Sequence, residues 1–238
     1  MPATTTTVAS SASPYATSAF WERLWRTSGL QFIAFAVIAY LVYGYQPPVG
    51  ASTDSLVAFY DGHRARILIA AVLSGMAILN LLWFAAALRS ALAEAGQDGW
   101  GAAATAASAT VGTMLLLLVT ASAALAYSIA GSGNNVVAST LNDFSWACAV
   151  LSSFPRAMLI MAGTLGFWRA GLISTGVFAA GVAAIVLVLL GGTTWLSSGF
   201  WAPDGVYSRF VSPIIGLVWV LGASRILLTQ SPGARAGW

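Results

Sequence analysis

Residues 66–88 read RILIAAVLSGMAILNLLWFAAAL. The only charge is the arginine that opens the stretch, no proline interrupts it, and as an α-helix it measures about 34 Å, enough to cross the hydrocarbon core of a bilayer with some tilt. Working outward, five more apolar stretches of similar character cover residues 29–45, 102–130, 144–167, 172–196 and 210–229. The breakers fall between them: Pro47 and Pro48, the glycines of 96–101, the segment 131–135, and Pro203 within 202–205. The chain of 238 residues is 58% hydrophobic and 7% charged, with mean hydropathy +0.82. A soluble domain carries roughly 25% charge, so there is too little polar surface here to solvate a fold of this size. The fold class expected is an all-α membrane protein, a polytopic bundle of six transmembrane helices filling residues 20–230.

Arginine placement sets the expected orientation. Arg23, Arg26, Arg89, Arg169, Arg225 and Arg235 fall on one side, and Arg64, Arg66 and Arg209 on the other. Six against three puts both termini in the cytoplasm. Residues 1–19, uncharged Thr, Ser, Ala and Pro, read as a disordered tail, and 231–238 as a short C-terminal tail. Phe20, Trp21 and Trp25 interleave with Glu22, Arg23 and Arg26, a mixture suited to the headgroup layer. Val49 and Ala51 before Ser52 resemble a signal-peptide cleavage site, but the long leader and the tyrosines at 40, 43 and 45 favour a retained first span.

Net charge +3 and pI 9.4 do not indicate nucleic acid, because the arginines are scattered rather than clustered. The expected environment is the lipid bilayer, with a membrane-protein partner or a second copy as the other interaction open to it. The single Cys148 allows no internal disulfide. Ten arginines without a lysine, amid abundant Ala and Gly, point to a GC-rich bacterial genome and hence to a multi-pass protein of the inner (plasma) membrane. Rows of small residues, Ala102, Ala106 and Thr110 in the third span and Gly176, Ala180 and Ala184 in the fifth, are expected to let helices approach closely. No repeat relates the first three spans to the last three, which weakens an inverted-repeat transporter reading.

Polar side chains are few enough to be considered singly. Ser52 or Thr53 caps a short amphipathic helix over 53–64, expected to lie on the outer membrane surface. Asp61, His63, Arg64 and Arg66 at its end form the densest polar cluster, readable either as a ligand or proton site or as an interfacial helix whose arginines reach phosphates. Arg156, following Pro155, falls near the middle of the fourth span, where an arginine should face the bundle interior. Ser152, Ala149, Ser145 and Asn142 share its helical face, with Gly163 beyond, a polar stripe suited to lining a wet cavity. Asp143 lies about 20 Å along the same helix, too far to neutralise it. Asn80 is the other strongly polar side chain at that depth. The guanidinium therefore either gathers backbone carbonyls freed by Pro155 or binds an anionic or carbonyl-bearing ligand.

Most of the ten tryptophans mark span ends, while Trp83 and Trp219 lie deeper as packing residues. One histidine cannot ligate a bis-histidine haem, and no span has a central Asp or Glu for a carboxylate dyad or proton relay. No phosphate-binding glycine loop or dinucleotide fingerprint occurs, and no cofactor is identified.

The runs AFYDGHRARILIAAVLSGMAILNLLWFAAALRSAL and LNDFSWACAVLSSFPRAM carry a resemblance. Through Tyr60, His63, Arg64, Arg66, Trp83, Phe84, Arg89, Asn142, Asp143, Phe154 and Pro155, the sequence over about 30–230 resembles an actinobacterial-type family of six-span membrane proteins known as a domain of unknown function. The resemblance implies fold and membrane location but no mechanism, and Arg156 departs from its pattern, in which an apolar residue follows Phe-Pro.

The function expected is non-enzymatic: binding of a small lipophilic or anionic ligand, or a partner, in an outward-facing polar cleft. Its expected lining is His63, Arg64, Asn80, Asn142, Asp143, Ser152 and Arg156. Two other readings fit the same residues, a small transporter or channel and a structural subunit of a larger membrane complex.

Overall fold

The computed structural model describes residues 25–229. The expected tails, and residues 20–24 at the first membrane interface, lie outside them. Within them every regular element is helical: α1 (Ser28–Tyr43), α2 (Thr53–Tyr60), α3 (Arg64–Glu94), α4 (Asp98–Ala124), α5 (Asn135–Leu151), α6 (Ser153–Arg169), α7 (Thr175–Gly191) and α8 (Ser212–Thr229). A π-helical turn, Leu125–Ile129, and a 3-10 turn, Ala130–Ser132, prolong α4; a second π-helical turn, Tyr207–Val211, leads into α8. With these extensions, four helices are long and apolar enough to cross a membrane: α3, α4, the α5–α6 pair and α8. The expected spans 29–45 and 172–196 form α1 and α7, equally apolar but only 16 and 17 residues long.

Local chemistry explains the boundaries. Side chains of Ser52, Asn134 and Ser174 accept from the backbone N–H three residues on, and so start α2, α5 and α7. Gly44, at φ 82°, ends α1 just before Pro47 and Pro48. At the end of α7, Thr193 and Thr194 hydroxyls and the Trp195 indole donate to the carbonyls of Leu190, Gly191 and Gly192. Those groups satisfy the terminal carbonyls and stop the helix well before residue 196. The fourth stretch starts earlier than residue 144, at Asn135, and breaks at Ser152. Pro155 has no N–H to offer the Leu151 carbonyl, so the regular helix is interrupted for one residue and resumes as α6.

The main core joins Leu81, Phe84, Leu88 and Leu92 of α3 to small residues of α4, to Leu159 and Phe167 of α6, and to Val220 and Leu227 of α8. A second cluster forms where α2 folds back on the bundle end, with Leu56 and Tyr60 fully buried against Ile67, Leu125 and Ala126. The small-residue rows are displaced from their expected phase. Ala102, Ala106 and Thr110 face outward, and the row that packs is Gly101, Ala104, Ala107 and Val111. In α7, Gly176 and Ala180 are exposed, Ala184 is partly buried against Ala157, Ile160 and Val188, and Gly181, Val188 and Gly191 are the buried positions. In helices this rich in Ala, Val and Gly, adjacent faces differ little in size or polarity, so pattern alone selects none of them. Trp83, expected to pack, is 53% exposed, whereas Trp219 lies edge-on to Phe84 with ring centroids 6.4 Å apart.

Candidate functional site

Helices α1, α3, α4, α6 and α8 line a half-open cavity of about 450 Å³, within the size range of small-molecule sites. It begins near the end of the bundle that carries α2, at Tyr43, Ile67, Ser122 and Arg209, and extends to Phe32, Leu81, Val111 and Val220. Its wall is almost wholly apolar because the lining positions of α1, α3 and α8 are mainly Ala, Val, Leu, Ile and Phe. Two charged side chains reach it, Arg156 and Arg209. Neither forms an ion pair with a carboxylate among the described residues.

Arg156 lies in the first turn of α6. Its Nε donates to the Ser152 carbonyl at 3.2 Å, and one terminal nitrogen donates to the Ala149 carbonyl at 3.4 Å and to Ser153 Oγ at 2.8 Å. The other terminal nitrogen has no hydrogen-bond partner among the described residues. Carbonyls and a hydroxyl supply partial negative charge, but the net positive charge stays on the cavity wall.

Arg209 is held differently. Its guanidinium stacks 3.7 Å from the Tyr45 ring centroid and 4.7 Å from that of Trp146. It also donates to the carbonyls of Asp204 and Gln46. Desolvated cation–π contacts of this kind contribute about 2 kcal/mol, so this arginine is locked into the end of the bundle. On its far side lies a second, more polar pocket of about 430 Å³ between residues 45–49 and 197–206, with Arg209 and Phe210 common to both.

Sequence reasoning missed Arg209. Its position between Asp204 and the last span reads as a loop charge; the signal available was its setting among aromatic residues, Tyr207 and Phe210.

The seven residues expected to line one cleft are spread out. Only Arg156 reaches the large cavity. Asn80 is buried and its amide donates to the Met76 carbonyl one turn back in α3. Ser152 donates to the Ala149 carbonyl, and Ser145 on the same face to Leu141, so these two serines close on their own helix. His63 and Arg64 are exposed at the start of α3, His63 against the Phe59 carbonyl and Arg64 over the Tyr127 ring at 5.0 Å.

Asn142 and Asp143 bind the loop after α1. Asn142, fully buried, accepts from Tyr60 Oη at 3.0 Å and Gln46 Nε2 at 3.3 Å, and donates to the Pro48 carbonyl at 3.0 Å. Asp143 accepts from the Gly50 N–H at 3.1 Å, and Trp146 Nε1 donates to the Pro47 carbonyl at 2.9 Å. Burial pushes the Tyr60 phenol well above its ordinary value, which keeps it a neutral donor to Asn142. Beside it, Tyr43 Oη donates to Ser122 Oγ at 3.0 Å, and both residues line that end of the cavity.

No group of three or more His, Cys, Asp or Glu side chains converges among the described residues. Comparison with protein-family models, with curated proteins and with solved structures gives no match.

Proposed function

We propose that this chain is a six-span integral protein of a bacterial plasma membrane, with both termini cytoplasmic, that binds a lipophilic ligand in the five-helix cavity without transforming it. The arginine asymmetry supports the orientation, which puts the α2 end and both pockets on the outer side. In this reading α1 and α7 are the two short spans; helices of 16 and 17 residues measure about 24–26 Å, reachable by modest local thinning of the bilayer. The single observation that carries the ligand-binding reading is the apolar cavity of about 450 Å³ with a cationic group on its wall. A binding site fits this lining better than an aqueous channel does, since Phe32, Leu81, Val111 and Val220 form an apolar floor.

The test is thermal unfolding of the purified protein in detergent against a panel of long-chain lipophiles. A ligand at one hundred times its dissociation constant contributes about 2.7 kcal/mol, a rise of roughly 5–10 °C in a chain this long. Ala36→Phe and Ala71→Phe, both on the cavity wall, should abolish that rise without lowering the ligand-free melting temperature. A rise of equal size in the filled variants would place the binding elsewhere and overturn the reading.

A further inference from the structure

We infer that the ligand is an anionic amphiphile, a carboxylate or phosphate head joined to an acyl chain, bound with its head at Arg156 and its chain running toward Phe32 and Trp219. The inference rests on the cavity being a ligand site and adds what the ligand must be. Along the π-helical turn Tyr207–Val211 and α8 the lining runs from Arg209 to Val220, about 16 Å of helix, so the space is elongated in the manner of a chain. Its charge is confined to one half. Gly191 is approached by both Ser153 Oγ and Ser212 Oγ, which sets these two residues at one level. Arg209 lies one turn from Ser212 on the α2 side of that level. The Arg156 backbone lies one turn from Ser153 on the other side, but its guanidinium turns back to Ser153 Oγ and to the carbonyls of Ser152 and Ala149, so both charges fall at or on the α2 side of that level. At the opposite end the lining is Phe32, Leu81, Val111 and Trp219, and Trp219 directs its indole N–H to Thr164 rather than into the space.

Each simpler ligand fits half of this. A neutral lipophile fills the apolar end and leaves Arg156 facing hydrocarbon without an anion. A small inorganic anion pairs with Arg156 and leaves the apolar end with nothing to cover it. An anionic amphiphile satisfies both. Each arginine keeps one terminal nitrogen without a hydrogen bond among the described residues, but the Arg209 guanidinium is fixed against the Tyr45 and Trp146 rings and by two carbonyls, whereas Arg156 carries no ring contact among the described residues and is the one placed to meet a head group.

The test is binding of radiolabelled palmitate to the full chain in phosphatidylcholine nanodiscs, with hexadecanol, phosphatidylglycerol and inorganic phosphate as competitors. Palmitate is expected to bind, hexadecanol to compete roughly ten- to a hundredfold more weakly, and inorganic phosphate not to compete at that range. Arg156→Gln should weaken palmitate by a similar factor and leave hexadecanol unchanged. Tighter competition by phosphatidylglycerol than by unlabelled palmitate would name a membrane phospholipid as the source, and the reverse a free fatty acid. Should Arg156→Gln fail to fold, the acid-to-alcohol ratio of the unmodified protein still decides. Equal competition by acid and alcohol, or an Arg156→Gln protein that keeps palmitate affinity, would overturn the anionic head while leaving the cavity a lipophile site. Absence of binding by acid and alcohol alike would overturn both.

Discussion

Asn142→Leu is expected to lower the stability of the fold by at least about 3 kcal/mol, a fall of roughly 6–12 °C in melting temperature. Leucine has nearly the same volume, so the cost is polar. Tyr60 Oη, Gln46 Nε2 and the Pro48 carbonyl each lose their bond to this side chain inside the protein, and each group left unpaired costs about 1–3 kcal/mol. The loop after α1 is released with them, and with it the Gln46 carbonyl that holds Arg209. Asp143→Ala, which removes the acceptor of the Gly50 N–H at a partly exposed position, should cost about 1 kcal/mol. Differential scanning fluorimetry of both variants in one detergent checks the contrast. Comparable melting temperatures for the two would show that Asn142 does not organise this end of the bundle.

Gly29→Ala is expected to destabilise by about 2–3 kcal/mol, although it adds a single methyl group. That methyl would overlap Ser224 Oγ and lie 2.7 Å from the Phe84 ring. Ser224 could move only by giving up its bond to the Val220 carbonyl, and Phe84 is fully buried at the centre of the main core. Three helices, α1, α3 and α8, meet at this point, and it is here that α1 is pinned to the bundle. Gly75→Ala supplies the internal comparison. Nothing lies within 4 Å of its added carbon, and alanine favours the helix, so stability should hold or rise by up to about 1 kcal/mol. Urea or thermal unfolding of the pair measures the difference, and equal stability would contradict the close approach of α1 to α8.

How much of this was readable from residues depends on which physical signal was at work. The stretch 66–88 announces a helix because nothing in it is charged after Arg66, and the structure places α3 over Arg64–Glu94. The start of α5 was hidden. Residues 135–143 include Asn, Ser, Thr and Asp, which look like a loop, yet the Asn134 cap and the partners waiting in the loop after α1 make them helical. Asn142 shows the same limit at the level of the site: its polarity was visible, but its partners are about 80 to 95 residues away in the chain. Arg156 stands out because charge is scarce; the carbonyls expected for it are those freed by Pro155, whereas its guanidinium meets the carbonyls of Ala149 and Ser152 and not that of Leu151, the one Pro155 leaves without a donor. The cavity itself had no signature. It arises where the Ala, Val and Leu faces of five helices fail to fill the space between them, a property of their assembly that no single helix displays.

In the membrane, the five-helix cavity is expected to hold an amphiphile. Native mass spectrometry of the protein taken gently from its own membrane, beside Ala36→Phe prepared in the same way, tests it most directly. The predicted result is a bound species in the unmodified protein, released on denaturation as an acidic lipid, and absent or strongly depleted in Ala36→Phe. The same complement of bound lipid in both proteins, or none in either, would contradict it.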